Sequence, residues 1–271
     1  THYGFDLPGR PDLVDLTREL AGVEGIVWVR LLYAHPAHLT RRMQEQLFGV
    51  PKVLPYLDMP IQHASDTVLR AMRRPYTAAR VRQQVLDLRR RVAGITLRTT
   101  VIVGFPGENE RDFAALCRFV EEMRFDRLGV FAYSREPGTA SYALPGRPRT
   151  SSVERRMHEL STLQMHIAAE RAATRLGTRT TLLVDGLVAD LAAGDRPPIA
   201  EWTQVHGRTP AEALDIDGTV FAETVGNAAG NAAAPGDLLE IEIVAHDVFD
   251  LRARVLPSKA ATDGSTARPE P

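Results

Sequence analysis

A chain of 271 residues, 44% hydrophobic and 25% charged, is long enough for one large α/β domain or for two domains with separate cores. No apolar run approaches the roughly 18 to 20 residues that span a bilayer, and no basic-apolar-small leader opens the sequence, so a cytoplasmic location is the expectation. The single cysteine, Cys117, excludes intramolecular disulfides and any metal site built from several thiolates of this chain.

Residues 1–135 alternate short β-rich runs with amphipathic helical stretches, the pattern of parallel βα units. Helices are expected over 11–21, 39–48, 66–73, 77–92 and 110–124, with Thr40, Asp66, Thr77 and Asn109 as caps. Strands are expected over 26–32, 54–59, 95–103 and 127–133. Phe113, Leu116, Cys117 and Val120 share one helix face, which makes Cys117 a buried core thiol. The turn-rich stretch from Glu136 to Arg149 breaks the alternation. A long helix follows from Ser151 to about Leu176, opened by a Ser151-x-x-Glu154 capping box and closed by Gly177.

From Thr178 the character changes to short strands and Gly/Asp turns: 180–184, 219–224, 238–245 and 251–256, a small antiparallel β-barrel or sandwich. The tail 258–271 has almost no large apolar side chain and is expected to be disordered. The domains read as 1–150, a partial (β/α) barrel; 151–177, a linker helix; and 178–257, the β-domain. Charge divides at the same point. Residues 1–177 hold 26 Lys+Arg against 19 Asp+Glu, whereas residues 178–257 hold 5 against 13, so the formal total of −1 conceals a dipolar chain.

Side chains alternate along a strand, so the polar members of each barrel strand mark its inner face. Trp28 and Arg30 share one face, as do Tyr56, Asp58 and Gln62, and Arg98, Thr100 and Ile102. The opposite faces are almost wholly apolar, as expected beneath helices. So polar an interior has two readings: a bound polar cofactor, for which Gln62, Arg98 and Thr100 are the candidates, or an internal ion-pair layer in which Asp58 neutralises an arginine. The loop Gly104-Phe-Pro-Gly-Glu108 at a strand end allows close backbone approach, and it is not a phosphate loop because no Gly-Lys-Ser/Thr follows. His63, a lone loop histidine without partners at ligand spacing, reads as a surface or capping group and is assigned no metal. Asp215-x-Asp217-Gly218 lacks the remaining positions of a calcium loop and reads as a hairpin turn.

Several of these segments resemble the radical S-adenosylmethionine (SAM) methylthiotransferases, above all the RimO-type branch that modifies a ribosomal protein. The resemblance lies in Pro60-x-Gln62-His-Ala-Ser65, Thr100-x-Ile102-x-Gly104-x-x-Gly107-Glu108, Phe131-x-Tyr133-Ser134 and Pro137-Gly138-Thr139. It continues in Gly207-Arg208-Thr209, Asp215-Ile-Asp-Gly218 and Pro235-Gly-Asp237, which look like a TRAM domain. It implies that the strands are the third to sixth of a radical SAM barrel, and that Gln62, Ser65, Arg98, Thr100, Gly104 and Tyr133 contact SAM. It also implies two [4Fe–4S] clusters, each held by three cysteines that this sequence does not contain, so the chain is expected to be the C-terminal part of a longer enzyme and inactive alone. The implied reaction is methylthiolation of the β-carbon of an aspartate in small-subunit protein uS12. The acidic β-domain is expected to attract that basic partner and to repel RNA. The alternatives are a tRNA adenosine methylthiotransferase and a non-catalytic, cluster-less binding module.

Overall fold

A computed structural model describes residues 3–191, 204–223 and 233–257. It divides into two compact units, Thr1–Thr174 with Pro210–Asp217, and Arg175–Thr209 with Gly218–Pro271. The first unit alternates α1 (Leu13–Gly22), β1 (Val29–Leu31), α2 (Arg41–Leu47), β2 (Val53–Asp58), α3 (Asp66–Ala71), α4 (Ala78–Arg91), β3 (Thr96–Val103), α5 (Glu110–Met123), β4 (Arg127–Ala132) and α6 (Thr150–Ala173). Its sheet has the order β1-β2-β3-β4 and is parallel throughout. This is the expected partial barrel. The first strand is shorter than the expected 26–32, because β1 has one neighbour and its register with β2 is irregular between Val29 and Leu31.

Helix α5 shows how the sequence specifies a unit. The Asn109 side chain accepts from the amides of Arg111 and Asp112, and Asp112 returns a bond to the Asn109 amide, closing a capping box. Phe113, Leu116, Phe119, Val120 and Met123 then form its buried stripe. Each such side chain contributes about 1.5–3 kcal/mol by leaving water. They pack with Leu57, Met59, Leu97, Val101 and Val103 from one face of the sheet and with Leu160 and Ile167 of α6. Cys117 is only partly buried at the margin of this core, not within it as expected; burial first, then Glu159, pushes its thiol up to about 11.

Two expected caps move, that of α3 by one position and that of α6 by two. Ser65, not Asp66, occupies the cap position of α3, and Asp66 instead accepts from the Ala78 amide at the start of α4. Helix α6 begins at Thr150, so Ser151 lies inside its first turn and the expected capping box does not form; Arg149 stands at the cap without a side-chain bond.

In the second unit, β5 (Arg179–Leu187), β6 (Val205–Arg208), β7 (Val220–Glu223), β8 (Leu238–His246) and β9 (Leu251–Val255) close a barrel in the order β5-β6-β7-β9-β8. Alternate residues Leu182, Val184, Val205, Val220, Ala222, Ile241, Ile243, Leu251 and Ala253 fill its buried interior. Strand β6 was not expected. It is short, and its Gly207 reads as a loop residue, yet a Cβ there would stand 2.1 Å from the Leu183 carbonyl oxygen of the neighbouring strand. The barrel is not wholly antiparallel either, since β7 and β9 pair in parallel. The expected disordered tail lies outside the described residues.

Residues 210–217 follow β6 in the chain but belong to the first unit. They carry three of the thirteen acids counted in the acidic β-domain, Glu212, Asp215 and Asp217.

Candidate cofactor site at the strand ends

Strand β2 runs in step with β3 as far as Asp58, which pairs with Arg98; beyond it, Gln62 pairs with Val101. Four residues of one chain therefore match three of the other, a bulge placed at Pro60, which has no amide to donate. Thr99, buried on the otherwise apolar face, bridges the fault: its hydroxyl donates to the Met59 carbonyl and accepts from the Ile61 amide. Gln62 consequently takes a left-handed conformation, φ 66°. A non-glycine residue there is strained, and such residues gather at ligand-binding positions. The Gln62 backbone bonds to Thr100 and Ile102, whereas its side-chain carboxamide makes no protein hydrogen bond among the described residues, and the residue is half-exposed.

The loop after β3 is shaped from within. Glu108 is buried, and its carboxylate accepts from the amides of Gly104 and Phe105 while Arg156 of α6 lies 3.1 Å from its other oxygen. His63 is buried as well, contrary to the expected surface position. Its Nδ1 accepts from the Ser65 amide at 2.9 Å and its Nε2 faces Glu108 at 4.0 Å, so it has the capping role but none of the exposure. Gly104 has φ 81°, and a Cβ on it would meet a Val153 methyl at 2.7 Å.

At the end of β4, the Tyr133 amide donates to Val103, and its ring lies edge-on to Phe105 at 5.1 Å. The Tyr133 hydroxyl is buried without a hydrogen-bond partner among the described residues. Thr100 is half-buried and pairs in register with Gly129, where a Cβ would meet the Phe131 ring at 2.9 Å and the Thr100 hydroxyl at 3.5 Å; that hydroxyl makes no hydrogen bond among the described residues. Gln62, Thr100 and Tyr133 thus keep uncommitted polar groups at the ends of three adjacent strands.

Ser65 and Arg98 sit differently. The Ser65 hydroxyl donates to Asp112 at 2.6 Å. Arg98 is the third residue of β3, toward its N-terminal end, and is held by Asp217 at 3.1 Å and Asp58 at 3.8 Å. Asp217 also accepts from the Tyr56 hydroxyl at 2.7 Å and from the Ala213 amide, while Arg127 meets Glu212 at 3.4 Å. Arg30 donates to the Pro210 carbonyl and lies over the Tyr56 ring. The expected ion-pair layer therefore exists, built mostly from the 210–217 segment, which is also why Asp215-x-Asp217-Gly218 is no simple hairpin turn. Burial, followed by Asp217, raises the Tyr56 hydroxyl far above its usual range; burial likewise raises the Asp58 carboxyl, with Arg98 opposing.

Free hydroxyls and an amide beside a glycine loop fit a polar, partly planar ligand such as a nucleoside cofactor. They do not fit an iron–sulfur cluster. The one cysteine cannot provide three thiolates, and the described residues contain no group of metal-ligating side chains.

A parallel βα sheet with polar strand ends, joined to a closed β-barrel, defines the class. Residues 5–120 match the model of the radical SAM superfamily. Over nearly its whole length the chain is similar to ribosomal protein uS12 methylthiotransferases. It is 40% identical over 258 residues to the ribosomal protein uS12 methylthiotransferase RimO of Geobacter sulfurreducens, covering 94% of this chain and 54% of that one. With the enzyme of the same name from Myxococcus xanthus it shares 40% identity over 276 residues, 100% of this chain and 54% of the other. With that of Thermotoga maritima it shares 37% over 256 residues, 94% and 55%. The chain thus spans about half the length of the curated relatives it matches. No described helix is long and apolar enough to cross a membrane.

Proposed function

We propose that this chain is the SAM-binding and substrate-docking part of a methylthiotransferase that modifies the β-carbon of an aspartate in ribosomal protein uS12. The observation that carries the reading is the uncommitted trio Gln62, Thr100 and Tyr133 at the strand ends of a chain related to uS12 methylthiotransferases over 94% of its length. SAM, used with an iron–sulfur cluster, supplies hydrogen abstraction from an unactivated carbon, chemistry that side chains cannot perform. What this chain contributes is binding and orientation. Gln62, Thr100 and Tyr133 offer donors and acceptors, and the Gly104 loop, set by Glu108, brings bare backbone close to the ligand. Arg98 and Ser65 act one step back, Arg98 by fixing the sheet and Ser65 by fixing α5.

Docking of uS12 to the second unit rests on charge. The acids available for it are fewer than the composition implies, because Glu212 and Asp217 are buried with Arg127 and Arg98 and Glu223 is paired with Arg252. Glu240 and Asp247 are exposed. The test is a paired titration of the chain against uS12 and against tRNA at two salt concentrations, with Glu240→Lys and Asp247→Lys. Salt-sensitive uS12 binding that these reversals slow in association supports the reading. Tighter, salt-sensitive tRNA binding overturns it in favour of the tRNA-modifying branch.

A further inference from the structure

The segments that leave β1, β2, β3 and β4 at their C-terminal ends carry Arg42 in the first turn of α2, Arg73 just after α3, Arg111 in the first turn of α5, and Arg147 and Arg149 ahead of α6. Because the sheet is parallel, these segments gather at one end of it, the end that holds the candidate site. Contacts between them confirm the grouping. The Arg80 guanidinium donates to the Ala37 carbonyl after β1 at 3.0 Å, Asp66 accepts from the Ala78 amide at 2.8 Å, and the Gly107 amide donates to the Gly146 carbonyl at 2.9 Å. Arg42, Arg73, Arg111, Arg147 and Arg149 are all exposed, and none makes a side-chain hydrogen bond or ion pair among the described residues.

The acids of the same segments do not neutralise them. Glu108 and Asp112 are buried, Glu110 is held by Arg155 at 2.8 Å and by Arg156 at 2.9 Å, and Glu136 accepts from the Ser134 hydroxyl. At the opposite end of the sheet the arginines are paired: Arg90 with Asp87, Arg91 with Glu45 at 3.2 Å and Arg171 with Asp126 at 2.6 Å. The positive excess of the first unit therefore stands in the open around the strand ends. Helix dipoles add to it. Arg80 lies in the first turn of α4 and Arg149 stands at the cap of α6, neither helix has an acid in its first turn, and a dipole disfavours a cation there. Unpaired cations set against helix dipoles gain nothing for the fold, and they build the potential that attracts an anion.

We infer that this arginine rim binds the phosphate backbone of RNA, so that uS12 is engaged while it lies on ribosomal RNA rather than as a free protein. This deepens the proposed function and rests on it for the identity of the protein substrate. Neighbouring strands stand about 4.8 Å apart, so arginines leaving four of them span roughly 15 Å, too wide for one small anion and suited to a chain of phosphates. The guanidinium fork matches phosphate oxygens. A free basic protein is repelled by such a rim, whereas RNA around the protein reverses the sign. The exposed acids of the second unit then serve the protein, and the rim serves its RNA.

The experiment measures binding of the chain to small ribosomal subunits carrying unmodified uS12, to free uS12, to tRNA and to polyglutamate, each at two salt concentrations. Arg73→Gln and Arg147→Gln are compared with Arg90→Gln, which removes the same charge from the opposite end of the sheet. All three residues are exposed, and thermal unfolding checks that the variants fold alike. The subunit should bind tightest, and a fourfold rise in salt should weaken it roughly hundredfold, as counterions return to about five phosphates. Each rim variant should lower the slope of log affinity against log salt by about one unit, and Arg90→Gln should leave it unchanged. Subunit binding that is absent, or no tighter than that of free uS12, overturns the inference; free uS12 that still binds leaves the proposed function standing. A slope lowered equally by all three variants overturns the inference too, because it reports net charge rather than the rim. Polyglutamate binding as tight as the subunit's does the same, in favour of an acidic protein partner. Tighter binding of tRNA than of the subunit overturns the inference and the proposed function together.

Discussion

Asp217 and Arg98 stand 119 residues apart in sequence and meet at 3.1 Å, the carboxylate wholly shielded from water and the guanidinium nearly so. The pair neutralises a charge that a half-barrel would otherwise carry on its inner face. It also joins Tyr56, Arg127 and the 210–217 segment into one network.

Removing one member should strand the others. Breaking a buried ion pair costs about 3–5 kcal/mol, because an uncompensated charge remains. Asp217→Ala is therefore expected to lower unfolding stability by about that amount in a urea titration, while Tyr56→Phe, which loses one hydrogen bond, should cost about 1 kcal/mol. Equal effects of the two variants would mean that the network is not the stabilising element.

Asp58 carries a second, pH-dependent consequence. Burial raises its carboxyl above the ordinary 3.8, so the folded chain holds that proton more tightly than the unfolded chain does. The stability it contributes is complete below 3.8 and is lost as pH rises through the raised value. Relative to Asp58→Asn, the native chain should lose stability over that rise and then level off. A difference between the two that is flat with pH, measured by denaturation from acid to neutral, would contradict the burial argument.

Gly104 unites two constraints that separate variants can divide. Gly104→Ala must accept φ 81° and a Cβ 2.7 Å from a Val153 methyl, at a cost of about 1–3 kcal/mol. Adding Val153→Ala should restore the steric share and leave the backbone share. Full rescue, measured by thermal unfolding, would mean that the left-handed conformation costs nothing.

Cys117 should be slow to react. Its thiol is pushed up to about 11 from the ordinary 9.0, so its thiolate is about a hundredfold scarcer at neutral pH. Alkylation by iodoacetamide at pH 8 is expected to lag a free cysteine by at least that factor in the native chain and to recover in urea. Fast native alkylation would place Cys117 on the open surface.

Much of the fold was legible because hydrophobic period and capping agree along residues 1–135. Thr40, Thr77 and Asn109 cap the helices they were read to cap. The failures have local causes. Short β6 hides behind Gly207, whose need is steric and comes from a paired strand distant in sequence, and the α6 cap lies two residues before Ser151, so the Ser-x-x-Glu motif does not set the boundary. At the site, strand alternation put Arg98, Thr100 and Gln62 on one face but says nothing of height along the strand, and Arg98 lies low, among carboxylates. Nor could the sequence reveal that Asp217 enters the first unit, since pairing across 119 residues leaves no local signal.

The most direct test of the account is an equilibrium titration of SAM into the chain, with Thr100→Val and Tyr133→Phe measured beside it. Saturable binding that each variant weakens is the expected result, because each removes a polar group that the protein leaves uncommitted. No binding, or binding to which both variants are indifferent, would contradict the claim that these strand ends form the cofactor site.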